Sequence, residues 1–573
     1  MNIAGLIGII VFYILILVVG IWAARKKKPA EEGGEETDEI ILAGRSIGCF
    51  VGTFTMTATW VGGGYINGTA ELVYTDGMSA AQAPWGYAIS LIIGGLLFAR
   101  KMRKEGHVTM LDPLQIQYGK IMGGILYLPA LLGETFWSAA ILGSLGATLS
   151  VVLEVHIDYA VIASACVAVG YTFFGGLYAV AFTDVVQLFC IFVGLWLTIP
   201  FALTHDNVSS LSTKQTEIVG KIEDRHLGVW IDSALLLCLG GIPWQVYFQR
   251  VLSAKSARYA QMLSFTAAFG CIIMALPAIL IGGIAKATDW DTVINDNSTK
   301  YLKADGSIDD KRLVLPLVLQ YLTPTWVSFI GLGAVSAAVM SSADSSVLSA
   351  SSMFSYNIYK LVIRQKASGK ELIWVIRVGI FVVGAIATVM GLTIESIYQL
   401  WVLSSDLVFV LLFPQLLCAV YLKFVNVYGS ICAFFVGAVL RILGGESTLG
   451  IPIMIRYPFY DEEKEMQLFP FRTFAMGCSL LTLIVVSLIT NSMFKSVKGT
   501  QRSPDEVDII RISYNKEPEQ EKVTSFSRIS RWSGSYNNIT ASASEIKGRE
   551  DKSLLKTTLT RTESARNTSN FEM

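Results

Sequence analysis

Two short stretches set tryptophan beside helix-breaking residues inside otherwise apolar sequence: Thr57-Ala58-Thr59-Trp60-Val61-Gly62-Gly63-Gly64-Tyr65 and Gly240-Gly241-Ile242-Pro243-Trp244-Gln245. An indole held deep in a membrane, next to backbone that glycine or proline frees from its helix, can turn a ring face toward a cavity. Ring faces suit a quaternary ammonium ion, which has no N–H to donate, and each desolvated contact contributes up to ~2 kcal/mol. Tyr87, in Ala83-Pro84-Trp85-Gly86-Tyr87, and Trp137, in Gly133-Glu134-Thr135-Phe136-Trp137, are intramembrane aromatics able to complete such a box. The candidate substrate-binding residues are therefore Trp60, Tyr87, Trp137 and Trp244.

A third stretch, Ala337-Ala338-Val339-Met340-Ser341-Ser342-Ala343-Asp344-Ser345-Ser346, runs hydroxyls through an apolar segment. Hydroxyls of Ser341 and Ser342, with the Ala338 carbonyl and carbonyls freed by the break near Ala58 and Val61, would make a five-oxygen sodium site. The structural alternative is serine bonding back to the carbonyl one turn earlier. Asp344 is costly in a membrane and is a functional candidate on that ground, organising the hydroxyls or lying near the cytoplasmic mouth. Glu134, Asp406 and Glu446 are candidates of the same kind.

These residues need a membrane scaffold, and the composition supplies one. Of 573 residues 53% are hydrophobic and 16% charged, where a soluble globular chain carries about 25% charged residues. An ordinary cytosolic enzyme is excluded. Forty-five basic residues balance forty-five acidic ones, which leaves no surplus for a nucleic-acid backbone. The eight cysteines stand singly in apolar stretches, read as small buried hydrophobes, and neither they nor the four histidines show metal-ligand spacing.

Apolar runs of 18 or more residues recur about thirteen times, each long enough to cross a hydrocarbon layer. The fold class is an all-α integral membrane protein. The two breaks fall in the second run (46–67) and the seventh (229–249), five helices apart, as in transporters built from two inverted five-helix repeats. Three consecutive glycines also serve tight helix packing, but matched breaks in both halves favour a substrate site.

The domain reading is 1–45 for the first helix and a cytoplasmic loop, 46–204 for repeat one (helices two to six) and 205–228 for an extracellular loop. It continues with 229–421 for repeat two (helices seven to eleven), 422–494 for two peripheral helices, and 495–573 for a polar, disordered cytoplasmic tail. The first run is a retained helix rather than a signal peptide, since Arg25-Lys26-Lys27-Lys28 follows it directly. Basic clusters after odd-numbered runs place the N-terminus outside and the C-terminus inside. Of the acceptor sequons, Asn297-Ser298-Thr299 lies in an outside polar loop with room for a glycan. The tail carries Glu550-Asp551-Lys552-Ser553-Leu554-Leu555, with the spacing of an acidic dileucine signal read by an endocytic adaptor.

The stretches Phe54 through Glu71, Phe182 through Cys190, Gly240 through Arg250 and Gly331 through Phe354 resemble the sodium/solute symporter family, and within it the members that carry choline. The resemblance covers essentially the whole membrane region and stops at the tail. It implies a LeuT-like fold, inward transport of choline driven by sodium, chloride dependence, and choline supply for acetylcholine synthesis. It implies residence in the presynaptic plasma membrane and in synaptic vesicles, surrounded by bilayer lipid, with an oligomer open. Ala58, Val61, Ala338, Ser341 and Ser342 match the family's sodium site, and Trp60, Tyr87, Trp137 and Trp244 its choline cage. The residues themselves point to no chloride site. Asp76-Gly77-Met78-Ser79-Ala80-Ala81 departs from vertebrate members, which carry a longer aromatic-rich loop at the outer gate.

The rival reading is a sodium-coupled symporter of another small solute such as proline or a sugar. A sugar needs several amide or carboxylate partners where this sequence has tryptophan. A channel or a ligand-sensing receptor is a different class, and no pore-loop pattern supports it.

Overall fold

The structure, a computed structural model, describes residues 3–26, 41–174, 177–294 and 301–497. Asn297 and the tail residues Glu550, Leu554 and Leu555 lie outside the described residues. Every regular element described is helical, and extended backbone pairs only in isolated bridges such as Ile47 with Ala254. In lipid a helix satisfies its own backbone groups, which is why long apolar sequence takes this form.

The first half runs α1 (Ile3–Lys26), α2 (Cys49–Trp60), α3 (Gly63–Thr75), α4 (Ala83–Glu105), α5 (Lys120–Leu153), α6 (Ile157–Phe174) and α7 (Leu177–Leu203). The second runs α8 (Leu227–Gly240), α9 (Gln245–Ser253), α10 (Ala257–Ala287), α11 (Thr325–Met353) and α12 (Gly369–Thr393). It closes with α13 (Ile397–Tyr421), α14 (Val427–Leu443) and α15 (Phe471–Val497).

Ten described spans are long and apolar enough to cross a membrane, where the sequence suggests about thirteen. The difference has a physical origin at each place. The second expected span is split into α2 and α3, each too short by itself. Helices α6 (Ile157–Phe174) and α14 (Val427–Leu443) are themselves short, at 18 and 17 residues. The most enclosed spans are α5, with 94% of its apolar window buried, and α11 with its continuation, at 83%; α15, at 22%, lies at the rim. Of the cysteines expected to be buried, only Cys238, Cys271 and Cys418 are; Cys166 and Cys432 are exposed on apolar outer faces, where a bilayer stands in for the core.

Both breaks are present. Val61 (φ −86°, ψ 61°) and Gly62 (φ −95°, ψ −174°) leave the helix after Trp60, and α3 restarts at Gly63. A Cβ on Gly62 would stand 1.7 Å from the Ser342 hydroxyl oxygen, so a residue without one is required for α11 to come this close. At the second break α8 ends at Gly240, Trp244 is extended (φ −113°, ψ 134°), and α9 begins at Gln245. There a Cβ on Gly241 would fall 2.7 Å from the Tyr87 ring.

Candidate functional site: an aromatic cluster and a hydroxyl-rich ion site

The two breaks deliver their tryptophans to one point. Trp60 closes α2, Trp244 precedes α9, Tyr87 comes from α4 and Trp137 from α5, and all four are at most 2% exposed. Ring centroids lie 4.7 Å apart for Trp137 and Trp244, 4.9 Å for Trp60 and Tyr87, and 5.6 Å for Trp60 and Trp244. Trp60 to Trp137 is 5.8 Å and Tyr87 to Trp244 is 6.3 Å. The rings rest on one another, so a guest entering between them exchanges ring–ring contacts of about 0.5–1.5 kcal/mol for cation–ring contacts. The indole N–H groups of Trp60 and Trp244 are buried without a protein acceptor, which leaves two donors beside the cluster.

Sequence reasoning missed Trp401. This residue of α13 lies 5.0 Å from the Tyr87 ring and 5.3 Å from that of Tyr65. It has no break beside it, so nothing distinguishes it from an ordinary packed tryptophan. On the same helix Ser405 shares a 2.5 Å hydrogen bond with the Tyr87 hydroxyl and fixes the tilt of that ring.

The hydroxyl run lies directly behind Trp60. The Ser342 hydroxyl donates to the Thr59 carbonyl (3.1 Å) and reaches that of Ala58 (3.5 Å). Helix α2 ends before these carbonyls meet their usual partners, because Gly62 is extended. Val61 and Ala338 are fully buried beside them, Ala338 one turn before Ser342. The adjacent Ser341 points elsewhere: its hydroxyl donates to Asp184 of α7 (2.5 Å), whose other oxygen accepts from Thr55 of α2. Asp344 does not organise these hydroxyls. It turns to α6 and accepts from Thr172 (2.6 Å).

Asp184 is the residue that gathers the hydroxyls, and it was absent from the candidates. The signal was available, since a carboxylate inside an apolar run is a functional candidate by default. An apolar run taken from residue 182, the sixth, puts Asp184 at its end, whereas α7 begins at Leu177 and Asp184 is fully buried. Arg250 of α9, also fully buried, donates to Ser345 and lies 4.0 Å from Asp184. Glu134 of α5 accepts from Ser346 (3.0 Å) and from the Val246 amide (3.4 Å), one turn from Trp137. Asp184 is thus the carboxylate in contact with this guanidinium, while Asp344 and Glu134 bond to hydroxyls of α6 and α11.

Asp406 and Glu446 are placed differently. Arg441 forks onto Asp406 and also reaches Glu446 (2.6 Å), and Arg472 contacts the same two carboxylates at 3.2 and 3.1 Å. Two cations against two anions close this cluster electrostatically and tie α13 to α14 and α15.

A helical membrane bundle in which two interrupted helices and a hydroxyl-bearing helix meet at a buried point has the layout of a cation-coupled secondary transporter. The chain belongs to the Sodium:solute symporter family, whose profile matches residues 40–437. It is a multi-pass membrane protein of a transporter family. It is 60% identical over 499 residues to the high-affinity choline transporter 1 of Drosophila melanogaster, covering 87% of this chain and 80% of that one. The high affinity choline transporter 1 of Homo sapiens is 55% identical over 507 residues, 86% of each chain. Among solved structures, a Na+-coupled sialic acid symporter in its substrate-bound outward-open state superposes with a TM-score of 0.68 at 15% identity, over 85% of this chain and 97% of that one. At that identity the likeness is one of fold.

Proposed function

We propose that this protein imports choline coupled to sodium by alternating access, with chloride required for uptake, and so supplies choline for acetylcholine synthesis. The observation that carries this reading is the convergence of Trp60, Tyr87, Trp137 and Trp244 at the two breaks. In it the four rings take the trimethylammonium group and an indole N–H takes the choline hydroxyl. Ala58, Val61, Ala338, Ser341 and Ser342 hold sodium, and Asp184 orients Ser341. Two cations entering together gain about 2.3 kcal/mol per charge per 100 mV from an inside-negative potential. The choline transporters named above support the solute; rings in place of hydrogen-bonding side chains disfavour a sugar.

The finer topology belongs to the same proposal. The ten long spans, the interrupted pair α2 and α3, and the two shorter helices together make thirteen crossings. Two inverted repeats run from α2 to α7 and from α8 to α13, with the N-terminus outside and the C-terminus inside. Asn297 carries a glycan, Leu554 and Leu555 engage an endocytic adaptor, and the protein resides in presynaptic plasma and vesicle membranes. Uptake of labelled choline into cells expressing the chain tests the central statement. It should fall to background when sodium is replaced by a bulky organic cation and drop sharply when gluconate replaces chloride. Uptake indifferent to sodium would overturn the proposal.

A further inference from the structure

At Phe354 helix α11 widens into a π-helix that continues to Ile363. The wide turn stands off from the start of α5 and from α12 and leaves a groove of about 970 Å3. Leu128, Leu131, Val378, Val382 and Ile386 are among its walls, and Gly124 and Gly379 open its floor. The character changes at one end, where Lys120, Tyr359 and Glu371 line it and the connection Arg364–Lys370 begins. Residue 120 and residues 354–386 carry six basic side chains (Lys120, Lys360, Arg364, Lys366, Lys370, Arg377) against one acid, Glu371. That acid is engaged by Arg364 (3.0 Å) and the Tyr359 hydroxyl (2.5 Å). Trp374, exposed beside the mouth, is the residue type that settles at a membrane–water boundary.

We propose that this groove binds one anionic diacyl phospholipid of the cytoplasmic leaflet, with an acyl chain between α5, α11 and α12 and its headgroup at Lys366 and Lys370. The charge distribution selects the occupant. A sterol or a zwitterionic lipid brings no net negative charge to the exposed Lys366 and Lys370. A second copy of the chain docked about a twofold axis sets the rim against itself. The site lies outside the aromatic cluster and depends on the membrane-spanning fold, not on which solute is carried. The groove wedges between the helix that carries Trp137 and the helix that carries Ser341 and Ser342, so an occupant there bears on both.

Native mass spectrometry of the delipidated full chain, titrated with dioleoyl phosphatidylserine or phosphatidylcholine, tests the site. The parent should bind one phosphatidylserine at least about tenfold more tightly than phosphatidylcholine. Lys366→Gln with Lys370→Gln should erase that preference, since each basic side chain near the surface contributes roughly fivefold. Gly124→Leu should abolish the tight site for both lipids. There a Cβ meets only the Ile358 terminal methyl, at 3.7 Å, so a larger side chain projects into the groove. The lysine pair is exposed and its replacement leaves the packing alone, which keeps the test decisive if Gly124→Leu fails to fold. Equal affinity for the two lipids, a preference unchanged in the lysine variant, or full displacement of phosphatidylserine by cholesterol would overturn the proposal.

Discussion

Two buried clusters of charge lie inside the same bundle and are built on opposite principles. Around Asp406 two carboxylates meet two guanidinium groups, with Arg441 and Arg472 each touching both acids. Around Asp184 the guanidinium in contact is that of Arg250, at 4.0 Å, and the hydrogen-bond partners of Asp184, Asp344 and Glu134 include the hydroxyls of Thr55, Thr172, Ser341 and Ser346. The first cluster is complete and joins rim helices to the core. The second pairs its carboxyl groups largely with hydroxyls beside a helix break, the setting proposed above for a bound sodium ion. The contrast teaches that an intramembrane carboxylate held by arginines ties helices together, whereas one held mainly by hydroxyls at a break is the candidate for ion binding.

Breaking the balanced cluster should have the largest effect on stability. Arg441→Gln leaves only the partly exposed Arg472 against Asp406 and Glu446, and losing one partner of a buried pair costs up to about 3–5 kcal/mol. The expected result is a large fall in surface protein and in the thermal unfolding midpoint, read by fluorescence-detected size exclusion. If Arg441→Gln reaches the surface normally and loses only transport, the cluster is not a clamp.

At the other cluster the order of effects reverses. Asp184→Asn keeps the shape and removes charge, so surface protein should persist while sodium-dependent uptake falls to background. Normal sodium dependence in that variant would remove Asp184 from the ion site. A smaller effect, confined to the solute, is expected of Trp244→Ala: losing one desolvated cation–ring contact of ~2 kcal/mol weakens choline binding roughly thirtyfold. The smallest comes from Ser341→Ala and Ser342→Ala, each raising the sodium concentration for half-maximal uptake by about tenfold at most. Ser352→Ala, whose hydroxyl donates to the Ser349 carbonyl farther along α11, serves as the control. Identical sodium curves for all three serine variants would make the hydroxyl run structural.

Much of this arrangement is written locally in the chain and some is not. Apolar run length announces a helical membrane protein, and the glycines at 62–64 with Pro243 announce the interruptions, because these residue types act on their own backbone. Trp60 and Trp244 stand out for the same reason. The partners of Asp184 are a different matter: Thr55, Ser341 and Arg250 come from three other helices, and only packing brings them together. Asp406 looks like Asp184 in sequence, and the arginines that neutralise it stand 35 and 66 residues away. Trp401 illustrates the same limit, as its contact with Tyr87 depends on how α13 crosses α4.

The direct test of the account is equilibrium binding of labelled choline to the purified full-length protein across a sodium titration, for the parent and for Ser342→Ala. On the proposed reading, sodium at Ser342 of the first break and choline at Trp60 beside it strengthen each other reciprocally. The parent should bind choline at least about tenfold more tightly in saturating sodium than in its absence, and Ser342→Ala should need more sodium to reach the same affinity. A choline affinity that does not change with sodium in the parent would contradict the account.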